Sequence, residues 1–220
     1  MIRVLLADDH PLFREGLKGI LLERGDFSVV AETGDGEEAL RQATQTRPDV
    51  VVLDLAMPGR GGLETTREIK RRSAGTRVLI LTAHREDHLA VRCLKAGADG
   101  YMTKQAGADM VVAILRKIHD GGKFMSPELA ERVVRALVSP EDEPLARLSD
   151  REYQVLRLLA SGQTIGAIAA ELNLSTQTIG TYRARLLRKL ELKSTMELIR
   201  FALEAGLTGA GTPLPAEHPR

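Results

Sequence analysis

Asp49-Val50-Val51-Val52-Leu53-Asp54 is the stretch on which the fold turns. Its four central residues are all aliphatic and leave no polar face. A strand built from them must be covered on both sides, as happens in a parallel sheet wrapped by helices. Outward from it, short apolar runs recur at Ile2–Ala7, Phe27–Glu32, Arg77–Thr82 and Asp99–Tyr101. Helix-patterned segments lie between them, near 11–24, 35–46, 61–72, 86–96 and 107–120. Strands alternating with helices of ~10–15 residues predict βαβ units and a doubly wound α/β domain. That domain is expected to fill residues 1–122.

Composition narrows the function before any motif is read. The 220 residues carry 31 Lys+Arg against 30 Asp+Glu, so bulk charge points to neither a nucleic acid nor a membrane. The single cysteine, Cys93, excludes an intrachain disulfide framework and an all-Cys zinc site. Mid-helix, it reads as a small buried apolar residue. No apolar run approaches the ~18 residues a membrane span needs. The start Met1-Ile2-Arg3-Val4-Leu5-Leu6-Ala7-Asp8-Asp9 brings carboxylates straight after its apolar run, unlike a signal peptide. With 3% aromatics and no tryptophan, a base-stacking single-strand binder is disfavoured. A cytoplasmic, non-membrane protein is expected.

Gly121-Gly122 ends the alternating pattern. Residues 123–147 read as a linker: a helix from Ser126-Pro127 to Val138, then the proline- and acid-rich Ser139–Pro144. Residues 148–206 are patterned as helix throughout. Residues 207–220, rich in proline and glycine, are expected to form a disordered tail.

In an open parallel sheet, ligands bind outside the carboxyl ends of the strands, where strand order reverses. The polar residues there are Asp8, Asp9, Asp54, Thr82 and Lys104. Clustered carboxylates repel one another unless a cation joins them, and Mg²⁺ accepts one or two carboxylates while keeping sites for water and phosphate oxygens. Asp54 would then serve as nucleophile towards phosphorus, with Lys104 neutralising the moving charge and Thr82 bonding one oxygen. Taken singly, each acid reads more readily as a solvated loop residue or helix cap, and it is the five together that point to a site. His10 beside the acids could touch a phosphoryl group, although a structural role at the loop is the expected one.

Asp8-Asp9, Asp54-Leu55-Ala56-Met57-Pro58-Gly59, Leu81-Thr82-Ala83 and Gly100-Tyr101-Met102-Thr103-Lys104 resemble the receiver domain of two-component response regulators. The resemblance spans about residues 2–120. It implies a flavodoxin-like (βα)5 fold and phosphorylation of Asp54 by a sensor histidine kinase. It also implies Mg²⁺ bound by Asp9, Asp54 and the Ala56 carbonyl, with Asp8 acting indirectly, and a switch in which Thr82 and Tyr101 move together. Gln105 departs from the proline many receivers carry after the lysine. A phosphatase of the haloacid-dehalogenase type shares the aspartyl-phosphate, but its general acid two residues after the nucleophile is Ala56 here.

In the second domain, Ser149 and Glu152 form a capping box before Val155, Leu156, Leu158 and Leu159. A short helix from Thr164 to Leu172 and a turn at Asn173-Leu174 precede Ser175, which caps a helix to Leu190. Two short helices joined tightly, the second basic, match a helix-turn-helix, placed at about 167–186. At 100° per residue, Ile179, Leu186 and Leu190 share one face, while Gln177, Thr181, Ala184, Arg185 and Arg188 share the other. Gln177 and Arg185 suit base edges, and Arg188 and Lys189 suit phosphates. Arg183 falls nearer the apolar face, within reach of Glu152 or Glu171 as an alternative to DNA. The stretch Leu148–Phe201 resembles the LuxR-type four-helix domain of the NarL/FixJ family, through Leu148–Glu152, Ile168–Leu172, Leu174–Ile179 and Leu186–Leu190. Gly166 and Gly180 stand where that family often has lysine, and Ala184 where some of its members have another. The resemblance implies double-stranded promoter DNA with a two-fold site, a homodimer when phosphorylated, and pairing through about Thr195–Ala205. The competing reading is a DNA-binding or scaffold protein indifferent to phosphorylation.

Overall fold

The structure is a computed structural model describing residues 1–57, 60–83, 87–127, 129–131, 134 and 144–207. The chain divides into two compact units, Met1–Ala146 and Arg147–Arg220.

In the first unit the order is β1 (Ile2–Ala7), α1 (Pro11–Glu23), β2 (Phe27–Thr33), α2 (Gly36–Thr46), β3 (Val50–Leu53), α3 (Gly62–Arg72), β4 (Arg77–Thr82), α4 (Asp87–Lys95), β5 (Gly100–Thr103) and α5 (Ala108–His119). The five strands form one parallel sheet in the order β2-β1-β3-β4-β5. Because side chains alternate across a strand, the sheet sorts its residues into two cores. Val4, Leu6, Val50, Val52, Leu79, Leu81 and Met102 face α1 and α5. Leu5, Ala7, Val51, Leu53, Val78, Ile80 and Tyr101 face α2, α3 and α4, where Cys93 is fully buried as expected. Every residue of β3 is buried, which is why its sequence carries no polar face.

The strand boundaries move slightly from the sequence reading, for a chemical reason. Asp99 turns the corner before β5: its carboxylate accepts the Val78 N–H at 2.9 Å and the Lys70 ammonium at 2.7 Å. The strand instead runs on through Met102 and Thr103, which pair with Leu81 and Thr82.

The receiver-like unit also extends past Gly122. Phe124 bridges to Gly100, donates to the Asp99 carbonyl and accepts the Tyr101 N–H at 3.0 Å. Leu129, assigned from sequence to the linker, is buried in the same apolar cluster as Tyr101, with Met125 packed on it. The start of that helix is therefore held by the receiver's own core. Most of the expected helix beyond it, and Ser139–Glu143, lie outside the described residues.

A 3-10 turn at Pro144–Arg147 leads into the second unit, which holds α6 (Asp150–Ala160), α7 (Ile165–Glu171), α8 (Thr176–Lys189) and α9 (Thr195–Glu204). Ser149, Thr164, Ser175 and Ser194 cap the four helices with side-chain oxygens, each worth roughly 1 kcal/mol. The core gathers Val155, Leu156, Leu159, Ile168, Ile179, Leu186, Leu198 and Ala202. Asn173 takes a left-handed φ of 53°, which makes the turn between α7 and α8. Leu207 corrects the expected tail boundary: it is 1% exposed and donates its N–H to Ala202. Residues 208–220 are outside the described part.

Candidate functional site

The sheet order puts the reversal point between β1 and β3, since the chain runs from β1 outward to β2 and returns on β1's other side. Ala7 pairs with Leu53, so Asp8 and Asp54 leave the sheet side by side. The Asp54 N–H continues the ladder onto the Ala7 carbonyl at 2.8 Å. Gly62 opens α3 against the Asp54 carbonyl so closely that any Cβ there would collide with backbone.

Asp54 is buried, and its two oxygens have distinct surroundings. Oδ1 accepts the N–H groups of Leu55 at 2.6 Å and Ala56 at 3.3 Å. Oδ2 lies 2.6 Å from the Lys104 ammonium, which also reaches Asp8 Oδ2 at 2.7 Å. Lys104 rests over the Phe13 ring at 4.9 Å, and its own N–H bonds the Thr82 carbonyl at 2.7 Å. Thr82 and Tyr101 are both buried, at the end of β4 and within β5. The three acids and the Lys104 ammonium singled out from sequence thus meet at one edge, where Thr82 also ends β4.

A divalent cation suits this donor set. Ligand atoms of Asp8, Asp9, His10 and Asp54 all lie within 4.8 Å of one another. Asp9 Oδ1 is shielded from solvent with no hydrogen-bond partner among the described residues, a cost of roughly 1–3 kcal/mol that a cation would relieve. Hard oxygen donors of this kind fit Mg²⁺. Three contributors were not singled out from sequence. Phe13 covers Lys104, Arg14 donates to the Asp8 carbonyl, and Gly62 admits α3 to the site. Phe13 and Arg14 were findable, since both sit in the first turn of a helix that begins directly after the acids.

In the second unit, Gln177, Thr181, Arg185 and Arg188 are exposed on α8. Lys189 departs from its expected place among them. Its ammonium binds Glu152 Oε2 at 2.7 Å and the Arg147 carbonyl at 3.2 Å, so it, and not Arg183, makes the pair with Glu152. Glu171 pairs with Gln163 at 2.9 Å. Burial pushes the Glu152 pKa up, but hydrogen bonds from Lys189 and Ser149, together with the Lys189 charge, outweigh it and leave the carboxyl below its ordinary value.

A family model described as the response regulator receiver domain matches residues 4–116, and one described as bacterial regulatory proteins, luxR family, matches residues 146–202. The response regulator UvrY of Escherichia coli strain K12 is 38% identical over 214 residues, covering 96% of this chain and 98% of that protein. The response regulator GacA of Pseudomonas aeruginosa is 37% identical over 214 residues, covering 96% of this chain and 100% of that protein. Among solved structures, a Salmonella typhimurium RcsB response regulator superposes with a TM-score of 0.70 at 26% identity, over 93% of this chain and 98% of that one. RcsB from Salmonella enterica serovar Typhimurium, bound to promoter P1flhDC in the presence of the phosphomimetic BeF3-, gives a TM-score of 0.58 at 27% identity over 93% and 98%. With relatives matched nearly end to end and both units recognised, the chain belongs to the bacterial response regulators that join a receiver domain to a luxR-family regulatory domain.

Proposed function

We propose that this chain is a phosphorylation-controlled transcription regulator in which Asp54 accepts a phosphoryl group from the phosphohistidine of a sensor kinase. The observation that carries this reading is the Lys104 ammonium 2.6 Å from Asp54 Oδ2. Oδ1 is engaged by two backbone N–H groups, which leaves Oδ2 as the attacking oxygen. The P–Oδ2 bond forms as the P–N bond of the donor breaks, and its electron pair returns to the donor imidazole. Such transfers are loose, so the protein contributes mainly position and charge. Lys104 follows the charge from Oδ2 onto the phosphoryl oxygens, and Thr82 donates its hydroxyl to one of them. Mg²⁺ held by Asp9, Asp54 and the Ala56 carbonyl, with Asp8 behind it, would neutralise the remaining charge. Asp54 is modified and restored in the cycle, so the chain is no enzyme in the ordinary sense.

The output is double-stranded promoter DNA. Gln177, Thr181 and Arg185 repeat at four-residue spacing along the exposed face of α8, and Arg188 extends that face by one turn. A helix presented in this way suits the major groove. The promoter-bound relative with a phosphomimetic supports the same pairing of signal and target here. A phosphorylated homodimer on a two-fold site, paired through α9, completes the scheme. Met196 and Leu203 are exposed on that helix, consistent with a face awaiting a partner. The place of action is the cytoplasm, and no helix among the described residues is long and apolar enough to cross a membrane.

The test is labelling by a small phosphodonor with Mg²⁺ and by the cognate kinase. Label on the native chain, lost in Asp54→Asn, supports the reading. An unlabelled native chain with both donors would overturn it.

A further inference from the structure

The acidic pocket holds one donor that a pure oxygen site does not need. His10 is the N-cap of α1, yet its side chain makes no capping bond and instead turns towards the acids. Its backbone N–H already serves the loop, bonding Asp8 Oδ1 at 2.9 Å. The ring is therefore not required to hold the turn. Nδ1 lies 2.8 Å from Asp9 Oδ1, 3.2 Å from Asp8 Oδ1 and 3.8 Å from Asp54 Oδ2. The geometry suits a hydrogen bond to Asp8, whereas Asp9 Oδ1, although nearer, has no such bond. With the ring proton on Nε2, the bond to Asp8 is given up, and the Nδ1 lone pair and Asp9 Oδ1 are free to converge on a common ion. Adjacent ligands of an octahedral ion at ~2.1 Å stand about 3 Å apart, close to the spacing of Nδ1 and Asp9 Oδ1. The Lys104 ammonium, 3.4 Å from Nδ1 and bridging Asp8 and Asp54, shows that positive charge is already drawn to this spot.

We infer that His10 is a nitrogen ligand of the divalent-cation site, and that the site consequently favours nitrogen-accepting first-row ions such as Mn²⁺ and Co²⁺ over Mg²⁺. Imidazole suits the transition ions, whereas Mg²⁺ prefers oxygen and gives up water reluctantly. The ring is 59% exposed, so it closes the pocket from the solvent side and can turn onto an entering ion without repacking the core. This inference rests on the metal part of the proposed function and adds to it a ligand and an ion class.

The experiment uses the full chain with MnCl2, CoCl2 and MgCl2, by calorimetric titration and by pulsed electron paramagnetic resonance of the bound Mn²⁺. The native chain should show the ¹⁴N coupling of a directly bound imidazole, and His10→Ala should lack it. His10→Ala should bind Mn²⁺ and Co²⁺ about tenfold more weakly or worse, with Mg²⁺ affinity changed less than twofold. His10→Gln, which keeps a polar side chain of similar length, should fold and bind Mg²⁺ as the native chain does while also lacking the coupling. Mn²⁺ bound to the native chain without ¹⁴N coupling would overturn the role of His10 and leave the carboxylate site standing, as would coupling that survives in His10→Ala. Failure of the native chain to bind any of the three ions would overturn the metal site itself, and this inference with it.

Discussion

Replacing Glu152 by alanine is expected to destabilise the second unit by roughly 2–3 kcal/mol. The buried carboxylate performs two tasks. It accepts the Ser149 N–H at 2.7 Å, completing the capping box of α6, and it holds the Lys189 ammonium at the last turn of α8. Loss of the cap contribution costs roughly 1 kcal/mol. A hydrogen bond to a charged partner contributes ~1.5–3 kcal/mol, and the lower end applies because the Lys189 side chain is 35% exposed. Denaturant-dependent hydrogen exchange on the full chain, read on peptides from residues 150–204, measures the change directly. At 1.4 kcal/mol per decade, protection should fall about 30- to 150-fold in those peptides and stay constant in peptides from the first unit. Glu152→Gln, which can still cap, should lose less. The decisive quantity is the coupling in a cycle of Glu152→Gln and Lys189→Met, expected near 1 kcal/mol. A coupling within the ~0.5 kcal/mol of simple additivity would refute the tether. The pH dependence has a defined sign. The folded carboxyl is held below its ordinary value, so its stabilisation is complete above the unfolded pKa, about 4.3, and is lost as pH falls through the lower folded value. Native chain and Glu152→Gln should converge in that acid range.

Three further outcomes are expected. Arg188→Ala should weaken promoter binding across sequences and reduce the slope of log affinity against log salt by ~0.9, with helix content unchanged; an unchanged slope would remove Arg188 from the phosphate contacts. Leu129→Ala should destabilise the receiver unit by about 2 kcal/mol or more in urea unfolding, because the side chain is 3% exposed in the receiver's core; no change would show that the helix start is not held there. Lys104→Ala removes the ammonium from Asp8 and from Asp54, whose side chain is 1% exposed, and should cost ~3–5 kcal/mol. Thermal unfolding with Mg²⁺ and with chelator should show added cation recovering more stability than it adds to the native chain. An unaltered midpoint would disprove the pairing.

The first unit was legible because its signals are local and repeat. Val50–Leu53 carries no polar residue, and the ends of four strands, β1, β3, β4 and β5, carry the acids, hydroxyl and amine that a parallel sheet brings to one edge. The LuxR-like unit was legible through the caps Ser149 and Ser175, whereas Thr164 and Ser194, which cap the other two helices, were not singled out as caps. Pairings that span long stretches of chain were not legible. Lys189 and Glu152 are 37 residues apart, and angular position on α8 gave Arg183 the better claim to the pair. The extension through Phe124 was hidden for a similar reason: Gly121-Gly122 marks a turn, and nothing local says that the chain then returns alongside β5. His10 was read by its neighbours in sequence as a loop residue, and only the placement of its ring shows that it faces the acids.

The extended receiver also answers a mechanical question raised by the proposed function. Chemistry at Asp54 occurs at the carboxyl edge of the sheet, whereas the chain leaves the receiver beside the amino end of β5. The four residues of β5 span only about 13 Å, and both ends are tied. At one end, Lys104 bridges Asp8 and Asp54 while its N–H holds the Thr82 carbonyl. At the other, the Tyr101 N–H holds Phe124, and Leu129 lies in the apolar cluster that contains the Tyr101 ring. A phosphoryl group on Oδ2 moves negative charge outward, so Lys104 must either follow it and release Asp8 or remain and forgo the new anion. The first course gains a charge-assisted bond at the phosphate and frees Asp8 to face a cation, and it displaces the side chain of the residue that follows β5. Packed cores resist gradual deformation and pass such a shift on as a change of state. The path these ties give from the acid to the linker is therefore a single strand, which ends at the hydrogen bond between Tyr101 and Phe124.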